Sequence, residues 1–295
     1  MAHRARRLQA LRPAFAPLVV GLVAVATSGC DPGVAGDPRA EPRADKYGNG
    51  ARIAEVMAPR ADLSWLEPDD PDSADCPGVP RDVDVSVTGI AITAEDLFDE
   101  TGGGAVGNLW GQDSTSGSPP VPHSGMTFFA PGFSPPDLRV VPGDVLDLFG
   151  VLLEFEGPAS AKFGFCRTLP EMTGAMSFRF EGGEVMAARP ALEDLATYEG
   201  MRPWLGMLVT FENVVVAAPP ILAGSGRYAV PILDAGAVVE GEDVPTITNE
   251  LMDLESVLGV DTPPGTVIAE LTGVLTYFYS PHVAPRSAAD VVLTR

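Results

Sequence analysis

Few residues in this sequence are suited to acid–base or nucleophilic chemistry. After residue 29, histidine occurs only at His123 and His282, and neither lies in an HExxH, Walker, GxGxxG or GxSxG pattern. His123-Ser124 does not begin a Ser-His-Asp set, because adjacent residues of a strand point to opposite faces. We therefore predict loop positions for both histidines and assign no catalytic residue. We expect a protein that is not an enzyme and uses no cofactor.

One short segment carries the side chains best suited to binding. Trp110 is followed by Gln112 and Asp113, so an indole, an amide and a carboxylate lie within four residues. Polar groups at a strand end beside an aromatic ring can contact a ligand, which makes Trp110, Gln112 and Asp113 candidate ligand-binding residues. A structural interpretation competes with this one, in which Trp110 fills the core and Asp113 caps its own backbone in a turn.

Aromatic and acidic side chains supply two further candidate surfaces. Tyr277-Phe278-Tyr279 and Trp204 offer faces for stacking on sugars, although strand alternation places Phe278 opposite its two neighbours and predicts core packing for part of the run. Five acids precede Cys76 without the spacing or glycine of a calcium loop, so we read them as a solvated linker and assign no metal ligand. They are Glu67, Asp69, Asp70, Asp72 and Asp75.

The N-terminus has the three parts of an export signal. A basic stretch ends at Arg12, an apolar stretch too short for a membrane span follows, and small residues precede Cys30. Thr27-Ser28-Gly29-Cys30 resembles the lipobox of bacterial lipoproteins, with Thr27 where an aliphatic residue is commonest. The resemblance implies cleavage after residue 29 and diacylglyceryl attachment to the Cys30 thiol. We expect a cell-envelope protein lipid-anchored to the inner or outer membrane, facing the periplasm or the exterior.

Export also bears on the remaining two cysteines. With Cys30 lipidated, Cys76 and Cys166 are an even pair in an oxidising compartment, which favours a disulfide between them over two separate buried thiols.

Removing the four signal arginines from 19 basic residues leaves 15 against 40 acidic residues, a net charge of −25 for the mature chain. A surface this negative repels phosphate backbones, so nucleic-acid binding is disfavoured.

The chain after residue 80 has the pattern of β-structure. Val83, Val85 and Val87 alternate with polar residues, and Pro-Gly or Gly-Gly turns separate further apolar runs. We predict strands over 145–155, 207–216, 228–233 and 267–279. One helix is predicted over Asn249–Leu258, capped by Thr248 and ended by Gly259.

An internal echo indicates duplication. Pro142-Gly143 leads to Gly150 and then Phe155, while Pro264-Gly265 leads to Gly273 and then Phe278. Each glycine interrupts a long strand at a point where a small closed barrel must bend. The position of the echo, near the end of each of two stretches of about 100 residues, favours duplication of one β module.

These motifs resemble the OB-like modules that accompany secreted bacterial nucleases of the endonuclease/exonuclease/phosphatase class. The resemblance implies an all-β fold of two tandem small OB-like barrels and no activity, because the nuclease catalytic domain has no counterpart here. It rests on turn and core residues over about 84–292. They include Val87-Thr88-Gly89-Ile90, Gly107–Asp113, Ser124–Phe128, Glu212-Asn213-Val214 and Gly273–Tyr277.

The sequence thus predicts four regions: a signal over 1–29, a lipidated flexible linker over 30–80, a first OB-like module over 81–190 and a second over 191–295. The linker would reach roughly 40 Å from the membrane. We predict a non-catalytic binding or scaffolding module for another envelope protein or a glycan. The alternative is an accessory of an extracellular hydrolase or nuclease system that binds Ca²⁺ or Mg²⁺, with Asp113 and Glu154 as its best candidate ligands.

Overall fold

The described part of the chain begins at residue 51. The computed structural model describes residues 51–67, 69, 76–96, 108–114, 119–129, 132–133, 140–183, 185–222, 226–236 and 244–294. The predicted signal, Cys30 and the first part of the predicted linker lie outside these residues, as do the Gly102-Gly103-Gly104 turn and the acids at 70, 72 and 75. Within the described residues no helix combines the length and apolarity needed to cross a membrane.

The first sheet closes on itself. Its order is β3-β2-β1-β5-β6-β4, and a parallel pairing of β3 with β6 joins the two sides into a five-stranded barrel. The remaining strand, β4, pairs with β6. The strands are β1 (Val83–Glu95), β2 (Leu109–Asp113), β3 (Gly125–Phe128), β4 (Gly132–Phe133), β5 (Asp144–Phe155) and β6 (Leu169–Gly182).

The second sheet repeats this arrangement. Its order is β10-β12-β11-β7-β9-β8, and β10 pairs with β9 and, in parallel, with β12, which again closes five strands. β13 pairs with β11 beside β12. The strands are β7 (Leu208–Val216), β8 (Ile221–Leu222), β9 (Tyr228–Asp234), β10 (Thr246–Thr248), β11 (Val267–Tyr277), β12 (Pro281–Ala284) and β13 (Val291–Leu293).

The prediction of an all-β fold with two tandem OB-like barrels is confirmed. Numbered in chain order, strands one to five are β1, β2, β3, β5 and β6 in the first barrel and β7, β9, β10, β11 and β12 in the second. In both barrels strand one pairs with two and four, and strands three and five form the parallel pair. This five-stranded closure is the OB topology.

The echoed glycines occupy the same place in the two barrels. Gly150 and Gly273 both lie in the middle of strand four, in β5 and β11 respectively. In each barrel this strand directly follows the Pro-Gly turn. A Cβ on Gly150 would lie 2.0 Å from the Thr173 carbonyl oxygen, and one on Gly273 would lie 2.8 Å from the Ala284 carbonyl. Glycine is needed at both positions because the backbone of strand five crosses too closely for a side chain.

A second equivalence lies in strand one. Gly89 has φ +70° and Asn213 has φ +56°. Gly89 lies at a bulge in the pairing of β1 with β5, whereas β7 and β11 keep one register on both sides of Asn213. Glycine and asparagine are the residues that adopt this left-handed conformation most readily. Val87, two residues before Gly89, pairs with Leu148, which lies two residues before Gly150. In the same way Phe211, two residues before Asn213, pairs with Leu271, which lies two residues before Gly273. Register therefore aligns strands one and four of the two modules up to the left-handed residue, after which the bulge in β1 shifts the pairing of the first barrel by one residue.

Each barrel is closed at one end by short helices that precede strand one. We call residues 52–60 the first plug; it contains α1 (Ile53–Met57) and the 3-10 turn Ala58–Arg60. The second plug, residues 191–204, contains the 3-10 turn Leu192–Ala196, α2 (Tyr198–Met201) and the 3-10 turn Arg202–Trp204. Ile53 and Met57 lie in the first core and Leu192, Leu195 and Met201 in the second.

The first plug corrects the predicted flexible linker. The linker prediction over 30–80 is wrong for residues 51–66, since Ile53, Met57, Arg60 and Trp65 are all buried. The surrounding Pro, Ala and Arg residues resemble a tether, and one helical turn with two apolar side chains is too short to show a period. The first plug is stabilised by packing against the barrel, because so short a helix gains little from helix propensity.

Two local predictions also need correction. The helix α3 covers only Glu255–Leu258, because Thr248 lies in β10 and the Asn249 side chain bonds backbone groups of Gly226 and Tyr228. Gly259 does end the helix, with φ +83°. His282, predicted to lie in a loop, lies in β12, where it is opposite Thr276 of β11.

Candidate functional site

Trp110 and Gln112 lie on the face of strand two that points away from the first barrel's core. Leu109 faces that core, whereas Trp110 is on the outside yet only 1% exposed. The second barrel covers it, because its ring packs against apolar side chains of that barrel: Leu208, Leu251, Val274 and Ala284. The outer face formed by strands one to three of the first barrel is therefore an internal interface.

Gln112 ties the barrels together by hydrogen bonds. Its Nε2 donates to the Met186 carbonyl at 3.2 Å, and its Oε1 accepts from the Leu208 N–H at 3.1 Å. On the neighbouring strand, a Cβ on Gly125 would lie 2.5 Å from the carbonyl carbon of Gly206. Trp110 and Gln112 are therefore both buried in this interface, where the Gln112 amide is hydrogen-bonded at both ends and Trp110 Nε1 has no hydrogen-bond partner among the described residues.

Asp113 caps the first plug. Its two carboxylate oxygens accept the N–H groups of Ile53 and Ala54 at 2.9 and 3.1 Å, which are the first two donors of α1. Burial raises the pKa of Asp113; the two hydrogen bonds and Arg52 lower it by less. The cap was predicted for the residue's own backbone, but the helix it serves lies about 60 residues earlier in the chain. Sequence spacing cannot show such a contact.

Glu154 lies at the centre of a buried polar network that joins the two plugs. Its Oε1 accepts from Arg202 Nη2 at 2.7 Å and Arg60 Nη1 at 3.3 Å, and its Oε2 accepts from Thr168 Oγ1 at 2.7 Å. The Glu154 and Arg202 side chains are 0% exposed, and that of Arg60 is 5% exposed. A carboxylate with three donors at these distances is well satisfied, so Glu154 is a structural anchor.

Tyr198 extends the network within the second plug. Its hydroxyl donates to the Thr168 carbonyl at 2.6 Å and accepts from Arg202 Nη1 at 3.1 Å. Burial is the largest influence on the pKa of Arg202 and lowers it, but Tyr198 and Glu154 together raise the pKa above its ordinary value. Arg202 is therefore held as a cation by its partners.

Arg60 and Arg202 were missed by the sequence analysis, although one signal was available. Each ends or begins a 3-10 turn beside a proline, in Ala58-Pro59-Arg60 and in Arg202-Pro203-Trp204. An arginine next to a proline at the end of a short apolar run is weak evidence alone. Its occurrence once before each barrel would have strengthened the internal echo.

The candidate metal ligands of the alternative function are both engaged with protein donors. Asp113 accepts backbone N–H groups, and Glu154 accepts from two arginines and a threonine. Among the residues that the structure describes, no group of three or more His, Cys, Asp or Glu side chains is placed to hold a metal ion. No described observation therefore favours the Ca²⁺- or Mg²⁺-binding alternative.

A disulfide joins Cys76 to Cys166, the pair proposed from the cysteine count, with the Cα atoms 5.5 Å apart. Cys166 lies in the loop between strands four and five of the first barrel, and Cys76 lies between the first plug and β1. The bond closes a loop of 90 residues, which stabilises the fold by roughly 4 kcal/mol in the chain-entropy account. It holds the segment after the first plug against the barrel.

Neither histidine is charged near neutral pH. Burial, followed by the positive charge of Arg202, lowers the pKa of His123. Burial, followed by Arg227, lowers the pKa of His282 to about 4. Ser280 Oγ lies 3.1 Å from His282 Nε2, so this ring is a neutral hydrogen-bonding group on strand five.

The hairpin between β11 and β12 presents the aromatic run. Tyr277 is buried, but Phe278 and Tyr279 are 46% and 43% exposed. Tyr279 has φ +64°, an uncommon conformation for a bulky residue, and its hydroxyl donates to the Ala161 carbonyl at 2.5 Å. Trp204 is half-buried and packs against the second core. Of the aromatic residues proposed for stacking, the hairpin pair retains open ring surface.

Phe163 supports this hairpin from the first barrel. Its ring meets those of Tyr277 and Tyr279 edge to face at 5.1 Å and that of Phe278 at 5.7 Å. Phe163 is 2% exposed and belongs to the loop between strands four and five of the first barrel. The corresponding loops of the two barrels therefore pack together and fix the exposed rings in place.

No protein-family model matches the chain, and no curated protein matches it. The fold is thus established by topology and register within this molecule, and function must be argued from its own surfaces.

The raised pKa of Asp113 predicts a pH dependence. A carboxyl whose pKa is higher in the folded than in the unfolded chain stabilises the fold below its ordinary pKa of 3.8, and this contribution is lost as pH rises through the raised value. Asp113→Asn keeps an acceptor but carries no charge. Its unfolding free energy should therefore rise relative to that of the wild type as the pH increases over that range. Asp113→Ala should cost about 1 kcal/mol at neutral pH. Urea unfolding at several pH values measures both, and a pH-independent difference for Asp113→Asn contradicts the account.

Loss of the charge on Glu154 should be far more costly. Glu154→Gln leaves two buried guanidinium groups without a counter-charge and should lower the unfolding free energy by about 3–5 kcal/mol. Glu156→Gln is the matched control, two residues away, where a half-exposed ion pair with Lys162 contributes at most about 1 kcal/mol. Chemical denaturation compares the two variants, and equal losses would show that the network is not the anchor.

Proposed function

We propose that this protein is a lipid-anchored, non-catalytic component of the bacterial cell envelope whose second barrel carries the binding surface. The first barrel serves as its base. The ligand that suits this surface is an uncharged glycan, and a protein of the envelope is the other candidate partner. The relation to OB-like modules of secreted nucleases enters as a resemblance of turn and core residues, and no nuclease activity is proposed.

One observation carries the assignment of the surface. The outer face of strands two and three, which many OB folds use for ligands, is covered in the first barrel by the second barrel through Trp110 and Gln112. The second barrel's loop between strands four and five, also a ligand-binding loop in such folds, keeps Phe278 and Tyr279 nearly half exposed. Binding is therefore proposed for the second barrel.

The chemistry of this loop suits a neutral, amphipathic ligand. The two rings offer faces for stacking, and Ser280 and the neutral His282 beside them offer hydrogen-bonding groups without charge. The backbone of Tyr279 is in the left-handed conformation, which glycine or asparagine would adopt more easily. The presence of tyrosine at this position supports a role of its side chain in binding. The chain's net charge of −21 opposes polyanionic ligands.

The anchoring part of the proposal rests on the sequence. The lipobox-like Thr27-Ser28-Gly29-Cys30 follows a basic and an apolar stretch, and about 20 residues separate Cys30 from the first described residue. Export agrees with the Cys76–Cys166 disulfide, because such bonds persist in oxidising compartments.

Binding to neutral N-acetylglucosamine oligosaccharides tests the surface. Calorimetric titration should show binding that weakens about tenfold in a variant carrying both Phe278→Ala and Tyr279→Ala, because two stacking faces are lost. Phe149→Ala is the matched control, since Phe149 is 54% exposed on the first barrel. An equal loss in the control, or none in the double variant, contradicts the surface assignment. Absence of any oligosaccharide binding, with a protein cross-linked at the hairpin, would replace the glycan by the protein partner.

Membrane partitioning tests the anchor. Wild-type protein expressed in its native host should fractionate with membranes and carry acyl chains on Cys30, detectable by mass spectrometry of the N-terminal peptide. Cys30→Ala should release the protein from the membrane fraction, because the acyl chains supply the membrane affinity. Unchanged partitioning of this variant, or a mature protein that keeps residues 1–29, would refute lipid anchoring.

A further inference from the structure

A polar groove of about 430 Å³ lies between the second plug and the outer side of the second barrel. This volume is in the range of small-molecule sites. The residues that matter for its chemistry come from the segment leading into the second plug and from strands one and two: Arg189, Ala191, Leu192, Glu193, Glu212 and Asp234. The aromatic hairpin of the proposed function contributes none of its lining residues.

Register identifies the counterpart of this groove in the first barrel. Ile90 directly follows the left-handed Gly89 in strand one and is opposite Asp113 in strand two. Val214 follows the left-handed Asn213 in the same way and is opposite Asp234. Asp234 is therefore the second barrel's equivalent of Asp113, the residue that caps the first plug.

The plugs align as well. In each, the acidic residue three positions after the N-cap accepts the N-cap N–H: Glu55 accepts from Arg52 at 2.8 Å, and Asp194 accepts from Ala191 at 3.2 Å. Ala191 thus corresponds to Arg52. The next two positions follow in order, so Leu192 corresponds to Ile53 and Glu193 to Ala54.

The two equivalent junctions differ in charge. In the first barrel Asp113 accepts two plug N–H groups, and Arg52, whose Nη1 donates to the Gly89 carbonyl at 3.2 Å, lowers the pKa of Asp113 by its positive charge. In the second barrel no hydrogen bond or ion pair of the Asp234 side chain is found among the described residues, the position of the cationic Arg52 holds Ala191, and the position of Ala54 holds Glu193. The second junction has lost a cation and gained a carboxylate.

Arg189 does not replace the missing cation. Its Nη1 lies 2.6 Å from Glu212 and its Nη2 lies 3.6 Å from Glu270, so its guanidinium is shared between two other carboxylates. It is also 57% exposed. Within the described part of the chain, neither Glu193 nor Asp234 has a cationic partner, and their negative charges make the groove attractive to cations.

We propose that this groove binds a cationic side chain, a guanidinium or ammonium supplied by a partner molecule, in the place that Arg52 fills in the first barrel. The ligand's cation pairs with Asp234 and Glu193, and its N–H groups donate to the Asp234 carboxylate as the α1 N–H groups donate to Asp113. The site is separate from the aromatic hairpin, so it gives the second barrel a second contact with its surroundings.

The test uses a matched pair of probes on the detergent-solubilised native protein. Nα-acetyl-arginine amide carries the guanidinium, and Nα-acetyl-citrulline amide has nearly the same shape without the charge. Calorimetry should show the arginine derivative binding at least about tenfold more tightly than the citrulline derivative, since a charge-assisted contact is involved. Asp234→Asn should weaken binding about tenfold, whereas Asp82→Asn, an exposed acid outside the groove, should leave it unchanged.

A gain-of-charge variant provides an independent arm. Ala191→Arg places a guanidinium at the position of Arg52, so it should abolish binding of the arginine derivative and raise the Tm. Equal affinity for the two derivatives, or full binding by Asp234→Asn, overturns the proposal. Calcium binding that depends on Asp234, without binding of the arginine derivative, also overturns it and assigns the groove to a divalent cation.

Discussion

The carboxylate of Glu154 is the one full negative charge shared by Arg60 and Arg202 in the interior of the molecule, and the arrangement of the chain depends on it. Arg60 comes from the first plug, Glu154 from strand four of the first barrel, and Arg202 from the second plug. Removing three charged groups from water is costly, so the network adds little net stability compared with a well-packed apolar core. What it enforces is geometry, since any other placement of the plugs leaves a buried charge without its partner.

The contact between the two barrels uses a different face of each barrel. The first barrel offers the outside of strands one to three, the second offers the outside of strands one, four and five, and Trp110 fills the contact between them. Register shows why the first barrel offers no similar patch on its own strands one, four and five: Asp84, Val151 and Thr173 stand where the second barrel has Leu208, Val274 and Ala284. Two of these three positions are therefore polar in the first barrel, and the third is valine in both barrels.

The repeated topology gives the molecule two copies of each feature, and the copies differ in side chains at several positions. The backbone devices are retained, with a left-handed residue in strand one and a glycine in strand four of both barrels. The junction between plug and barrel is closed by Asp113 and Arg52 in one copy and open beside Asp234 in the other. A retained frame with altered side chains is how one fold acquires different surfaces.

The sequence by itself determined the β class, the module number, the positions of β1, β5, β7, β9 and β11, and the cysteine pair. Turn residues, period-two patterns and cysteine parity are local or countable signals. Tertiary structure alone decided the roles of Trp110, Gln112 and Asp113, which turned from candidate ligand contacts into contacts with the other barrel and the first plug. It also decided that residues 51–66 pack against the barrels and that Glu154 lies between two arginines. These facts depend on which faces meet across 60 to 100 residues of chain, and no local pattern encodes such a meeting.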